Sequence, residues 1–425
     1  MKTETKESMS FNELGIGKDL LGILERHAIY EPTDVQSAVI PKIMEGKDVL
    51  AQSETGSGKT LGFALPIIQE ARKGTGLYAL VIAPTRELAL QIADETKKYS
   101  RYKNLKVETV YGGVSIEPQI KRLPNADIAI GTPGRIRDLI GREAISFDNL
   151  KYLILDEADR MLDMGFEEEL NAIVDVLPKQ RKNLLFSATI SYKIQELSKK
   201  YLNNPYIVRL ENKIDPKKLR QSYYEVGGRK KFSLLVHLLR NTEHDGMISI
   251  VFCRTKHLTQ KIADELWKND IKARALNGNM TQAQRERTLK DFKEGRANVL
   301  VATDVASRGL HIENISHIFN YDVPTDVETY THRIGRTARQ GKSGEAITLL
   351  SDADYDTFQE IYREFESVLT RKELPEFQNV YINMMHSNRG SRGRGQGNRN
   401  SSGRNRSSKR HEQPPRQNAR RYNRR

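Results

Sequence analysis

The strongest chemical signal in the chain is the stretch Val49-Leu-Ala-Gln-Ser-Glu-Thr-Gly-Ser-Gly-Lys-Thr60. Val49 to Ala51 read as a short buried strand, Gly56 and Gly58 allow a tight loop, and Lys59-Thr60 opens a helical pattern. Such a loop turns its backbone N–H groups onto phosphate oxygens. The helix start adds partial positive charge, Lys59 adds a full one, and the Thr60 hydroxyl can hold Mg²⁺. Ser53 stands where the general pattern has its first glycine, but strand, loop and helix follow in the required order. A second signal is Asp156-Glu157-Ala158-Asp159, directly after the apolar run Tyr152 to Leu155. An acid at the carboxyl end of a parallel strand lies on the ligand-binding edge of the sheet. There Asp156 can hold the same Mg²⁺, and Glu157 can orient or deprotonate an attacking water.

These residues need a rigid frame, and the hydrophobic pattern supplies one. Residues 12–29 have apolar positions at helical spacing, which predicts a helix ending before Pro32. Strand-like runs then alternate with helical patterns, most clearly at 79–83, 127–130, 152–155 and 184–186. Continuous apolar strands separated by helices imply a parallel sheet covered on both faces. A charged, Pro-containing stretch at 210–220 reads as a linker, after which the alternation resumes with strands at 247–252, 298–302, 317–319 and 346–350 and helices at 258–269 and 282–294. The two halves show no sequence repeat.

The charge is concentrated at one end. Of 69 Lys and Arg and 55 Asp and Glu, 13 and one respectively lie after residue 385, so a formal +14 divides into +12 for the last forty residues and +2 for the rest. Those forty residues, dominated by Arg, Gly, Ser and Asn, cannot build a core and are expected to be a disordered tail that attracts polyanions. One cysteine, Cys253, excludes an internal disulfide, and no apolar run is long enough to span a bilayer, so a cytoplasmic protein is expected. Cys253 beside His257 lacks a third orienting group and reads as a strand-end thiol, and Trp267 as a packing residue on a helix.

The motifs together resemble the DEAD-box ATP-dependent RNA helicase family over residues 11–370. In family order the chain carries Pro32-Thr33 with Gln36, the phosphate loop, PTREL (Pro84 to Leu88), Gly112-Gly113, TPGR (Thr132 to Arg135), the Asp156 to Asp159 tetrad and SAT (Ser187 to Thr189). The second half adds VFCR (Val251 to Arg254), Gln282 with Arg285, TDVASRG (Thr303 to Gly309) and HRIGRTAR (His332 to Arg339).

The resemblance implies two RecA-like α/β domains in tandem, residues 1–209 and 221–370, joined by a linker at 210–220. An adenine-recognition segment at 11–37 belongs to the first, and a connecting segment and basic tail follow over 371–425. ATP and Mg²⁺ are the implied cofactors and RNA the implied partner, bound by a chain expected to be a monomer. Gln36 can pair a donor and an acceptor on the adenine edge, though it also fits a helix-start residue after Pro32; Phe11 corresponds by spacing to the family's upstream aromatic. Ser53, Thr55, Gly56, Ser57, Gly58, Lys59 and Thr60 would cradle the phosphates, with Thr60 and Asp156 on the metal. Asp304, Arg336 and Arg339 would reach the nucleotide from the second half, the two arginines matching developing phosphoryl charge. RNA backbone would lie on Pro84, Thr85, Arg86, Gly113, Thr132, Pro133, Gly134, Arg135, Arg254, Gln282, Arg285 and Thr303, without reading bases. Ser187 and Thr189 would couple the two activities. An ATP-gated clamp that seldom unwinds, or a DNA translocase, remains open on the sequence. Four departures stand out: Ala28-Ile29 where the family usually has Gly and an aromatic, His311 where it commonly has Asp, Asn277 in place of a frequent His, and Ala338 in place of a frequent Gly.

Overall fold

The computed structural model describes residues 9–53, 56–210, 218–242, 247–307, 315–338 and 343–380. The first lobe holds strands β1 (Val49–Gln52), β2 (Ala79–Ile82), β3 (Val107–Val110), β4 (Ile128–Gly131), β5 (Tyr152–Leu155), β6 (Lys182–Ser187) and β7 (Tyr206–Arg209), arranged β3-β4-β2-β5-β6-β1-β7. The second holds β8 (Leu219–Glu225), β9 (Ile248–Phe252), β10 (Ala273–Leu276), β11 (Val299–Ala302), β12 (Ile315–Asn320), β13 (Gly344–Leu350) and β14 (Leu369–Lys372), arranged β10-β11-β9-β12-β13-β8-β14. Every described pairing is parallel. Counted from its own first strand, each sheet has the same order. The chain is thus a structural duplication that its sequence conceals.

Alternation along each strand splits one apolar run between two cores. Val49, Val81 and Ile154 face the layer that contains the helices Lys18–Arg26, Asp34–Met44 and Lys59–Glu70, while Leu50, Leu80, Leu153 and Leu155 face the layer beneath the helices Pro133–Gly141 and Glu167–Val176. The second sheet extends past both expected limits. β8 begins at Leu219, inside the stretch read as linker, β14 continues to Lys372, and Phe377 and Val380 pack on the second core. No described helix is long and apolar enough to cross a membrane.

The N-terminal helix is shorter than its periodicity predicts. It spans Lys18–Arg26, because Gly15 takes φ +90° and Gly17 stands at the N-cap, while Phe11, Leu14 and Ile16 enter the core from turns. It ends in a Schellman motif: Ile29 N–H donates to Leu24 C=O, Ala28 N–H donates to Glu25 C=O, and Ala28 sits at φ +56°. Ala338 also has φ +56°, so both departures from a family glycine fall in the left-handed region, where a Cβ is costly. Ala28→Gly is therefore expected to raise the denaturation midpoint of the first lobe, by up to ~1 kcal/mol after the extra unfolded-state entropy of glycine. An unchanged midpoint would mean that this turn relaxes without strain.

Candidate functional site

The carboxyl ends of β1, β2, β4, β5 and β6 bring the first lobe's motifs to one edge. Gly58, at φ +95°, caps the helix Lys59–Glu70, and a Cβ there would lie 2.5 Å from Gln36 Nε2 and 2.9 Å from Thr33 Oγ1. Gln36 is buried and uses both ends of its amide: Oε1 accepts from Thr33 N–H at 3.0 Å, closing a capping box, and Nε2 donates to Gly58 C=O at 3.0 Å. Gln36 is thus a helix-start residue and a brace for the phosphate loop at once. Lys59 Nζ donates to Ser53 C=O at 3.0 Å and stands 3.8 Å from Asp156. Ser53 N–H donates to Ser187 C=O, and the buried Ser53 hydroxyl has no partner among the described residues. Thr55 lies outside the described residues.

Burial pushes the Asp156 carboxyl up to about 6, against the opposing pull of Lys59. An added cation would relieve this group, and Thr60, at the start of the same helix as Lys59, offers a hydroxyl. Among the described residues no cluster of three or more His, Cys, Asp or Glu could hold a metal alone. The donor set therefore fits a Mg²⁺ that draws further oxygen ligands from phosphates and water. Glu157 is the N-cap of the helix Ala158–Asp163 at φ +52°, a strained conformation for a side-chain-bearing residue. Burial would raise its carboxyl, but the Arg160 guanidinium 2.7 Å away, with Lys59 and Arg336, holds it below the usual glutamate range. Arg336 belongs to the second lobe, so the field on Glu157 comes from both. Arg339 lies outside the described residues.

Asp159 has a role that the sequence reading did not assign. Its Oδ2 accepts from Ala188 N–H at 3.0 Å, Thr189 N–H at 2.9 Å and the Thr189 hydroxyl at 3.3 Å, while Ser187 Oγ donates to Thr189 C=O at 2.7 Å. The loop carrying Ser187 and Thr189 is thereby fixed to the acid-bearing turn, and Gln52 Nε2 ties it to the end of β1 through Ala188 C=O.

A second cluster spans the lobes. Pro84 is buried, and Thr85 caps the helix Arg86–Ser100. Arg86 lies over Gly113, which has φ +78° and where a Cβ would overlap the guanidinium, and Arg86 Nη1 donates to Gln282 of the second lobe at 3.3 Å. Thr132 caps the helix Pro133–Gly141, whose first turn contains Gly134 and Arg135; Arg135 Nη2 donates to Val114 C=O at 2.9 Å. Arg285 Nε donates to Glu87 at 2.8 Å and Nη2 to Ala306 C=O at 3.2 Å, next to the turn held by Thr303 Oγ1. Gly113→Ala would displace Arg86 and force a left-handed alanine, so the variant should bind single-stranded RNA at least tenfold more weakly with unchanged affinity for nucleotide alone; equal RNA affinity in filter binding would remove Arg86 from the interface.

Several expected site residues are engaged elsewhere. Phe11 is 3 % exposed and packs in the first core. Both Asp304 oxygens pair with Arg333, at 2.6 and 2.7 Å, and Arg333 also reaches Asn320 and Asp322 C=O while stacking on Phe252. Arg254 donates to Asp354 at 2.9 Å and so shares that carboxylate with Lys231, although half of its side chain is open to solvent. Cys253 is buried and its thiol is pushed well up by burial, which excludes a nucleophile. Trp267 is not a packing residue: it is 48 % exposed, with the Arg274 guanidinium stacked 4.5 Å from its ring. Residues 308–314, with His311, and the tail lie outside the described residues.

Against known proteins, residues 33–197 match the DEAD/DEAH box helicase family and residues 230–341 the helicase conserved C-terminal domain. A probable ATP-dependent RNA helicase of Methanocaldococcus jannaschii is 42 % identical over 358 residues, covering 84 % of this chain and 96 % of the relative. The DEAD-box ATP-dependent RNA helicase CshA of Geobacillus kaustophilus is 39 % identical over 369 residues, 86 % of this chain and 79 % of the relative. Among solved structures, Saccharomyces cerevisiae Dbp5 bound to RNA and ADP BeF3 superposes with a TM-score of 0.78 at 30 % identity, covering 86 % of this chain and 96 % of that one.

Proposed function

Because this chain belongs to the DEAD-box family of RNA helicases, we propose that it closes its two lobes around ATP and single-stranded RNA and uses hydrolysis to reopen them. It is an ATP-dependent RNA helicase and an ATPase. The observation that supports the closure reading is the pair of contacts that join the lobes, Arg285 to Glu87 at 2.8 Å and Arg86 to Gln282 at 3.3 Å.

In this reading the phosphate loop and Lys59 hold the β- and γ-phosphates, and Gln36 offers its amide to adenine when it releases Gly58 C=O. Thr60 and Asp156 would hold Mg²⁺, which neutralises phosphate charge. Glu157 orients a water and takes its proton as the water oxygen bonds to the γ-phosphorus and the bond to ADP breaks. Arg336 and Arg339 offset charge on the transferring group. RNA backbone occupies the strip from Arg86, Gly113 and Arg135 to Gln282, Arg285 and Thr303. Arg285 then gives up Glu87 and Arg86 gives up Gln282, so RNA phosphates replace contacts that already join the lobes. Asp159 links the catalytic turn to Ser187 and Thr189, giving hydrolysis a mechanical route into the strand-binding edge. Arg254 adds a phosphate contact at the margin. The basic tail adds salt-sensitive RNA affinity without sequence preference. One chain contains the whole cleft, in keeping with a monomer, and its single buried thiol suits the reducing cytoplasm.

Strand displacement on a short RNA duplex, with ATPase measured against RNA and single-stranded DNA, tests this. RNA-stimulated hydrolysis with displacement is expected. Stimulation without displacement would favour the clamp, and equal stimulation by DNA the translocase.

A further inference from the structure

A cavity of about 570 Å³ opens on the second lobe between the helices Lys256–Lys268 and Gln282–Lys293, beside the carboxyl end of β10. It is separate from the strip described above. Gln284, Arg287, Thr288 and Asp291 line it from one face of the second helix, whereas Gln282 and Arg285 of that helix reach the first lobe. At ~3.6 residues per turn the two sets point to opposite sides.

The lining is cationic and rich in amides. Its one carboxylate, Asp291, is already held by Arg274 at 3.2 Å and Arg296 at 2.8 Å. Lys256 and Arg287 make no ion pair or side-chain hydrogen bond among the described residues, and Lys256 Nζ lies against Gly278, 3.3 Å from where a Cβ would stand. Asn277, the departure from the family's frequent histidine, is 4 % exposed; its Oδ1 accepts from Asn279 N–H at 3.0 Å, and its Nδ2 has no protein partner among the described residues. Beside the cavity, the Arg274 guanidinium carbon lies over Trp267, the only tryptophan in the chain, 4.5 Å from the ring centroid.

Two unpaired cations suit a phosphate, and a buried amide with a free donor suits the edge of a base. The volume falls within the ~300–1,000 Å³ of small-ligand sites. We propose that this cavity is a second nucleotide-binding site, distinct from the ATP cradle and the backbone strip, which takes one ribonucleotide with its phosphate on Lys256 and Arg287 and its base edge on Asn277. The nucleotide comes either from an RNA strand or free from solution, and the chemistry is the same.

Trp267 makes the test local. The full chain is titrated with uridine monophosphate, which lacks the adenine edge, with a short oligouridylate and with inorganic phosphate, following Trp267 emission and binding heat together. The same titrations are run on the Lys256→Gln/Arg287→Gln double variant. A saturable response to the nucleotide or to the oligomer is expected, weakened at least tenfold in the double variant, while the RNA-stimulated ATPase maximum, which also reports correct folding, stays at the parental value. A Trp267 response that the double variant weakens supports the site: one to the monophosphate identifies a free nucleotide, and one to the oligomer alone identifies an RNA strand. Absence of a Trp267 response to both ligands overturns it, as does unaltered affinity in the double variant. Equal binding of inorganic phosphate would overturn it too, since phosphate presents no base.

Discussion

Glu157→Gln is expected to slow single-turnover ATP hydrolysis by ~10²- to 10⁴-fold, the usual contribution of a positioned general base. The substitution keeps shape and one acceptor, so ATP should bind as before and RNA should stay trapped in the closed state. The setting of Glu157 supports the magnitude. Glu157 is 6 % exposed, and its carboxylate lies 2.7 Å from Arg160 and is held below the ordinary glutamate range, so it is ionised and ready to accept a proton at neutral pH. Glutamine removes that charge and can present an N–H₂ group where Arg160 donates to the carboxylate. A parental hydrolysis rate would assign the water-activating role to another group. A fall in ATP affinity equal to the fall in rate would make Glu157 a binding residue instead.

Lys59→Ala should abolish measurable ATP binding, weakening it by at least ~10²-fold, with RNA affinity in the absence of nucleotide unchanged. Truncating one partner of a buried charge pair costs about 2 to 5 kcal/mol, most of it from the charge left alone. Here the effect is double. The γ-phosphate loses a cation that is only 5 % exposed, and Asp156, 2 % exposed and already pushed up to about 6, loses the ammonium 3.8 Å away that opposes further protonation. A protonated Asp156 cannot hold a cation, so binding should fall further than for loss of one phosphate contact. Titration with a fluorescent ATP analogue in the presence and absence of Mg²⁺ checks this: parental affinity would remove Lys59 from the cradle, and a loss seen only with Mg²⁺ would place its whole effect on Asp156.

The local chemistry of this protein was written in its sequence. A phosphate loop needs glycines, a lysine and a hydroxyl within a few residues, and the acids of the tetrad must follow a buried strand directly; both are short-range requirements, and Gly58 and Asp156 stand where they predict. Interior strands such as β2 and β5 were legible because both faces are covered, which leaves an unbroken apolar run. Edge strands had no such signature. β3, β7, β10 and β14 end the two sheets, pair on one side only, and carry polar or exposed residues such as Glu108, Arg209, Arg274 and Arg371. β8 was hidden differently, because Gln221 and Ser222 are buried in its interior position and break the apolar pattern.

Only the tertiary structure decided what lies far apart in sequence. The common strand order of the two sheets is one example, since packing fixes order through shape and burial without fixing identity. The ion pair of Arg285 with Glu87 joins residues 198 positions apart, and no local pattern encodes that meeting. The same holds for single side chains whose type admits two fates. Trp267 went out to solvent, the reverse of its reading as a packing residue, because burial is settled by the neighbours that the fold brings and not by the hydrophobicity of the residue alone.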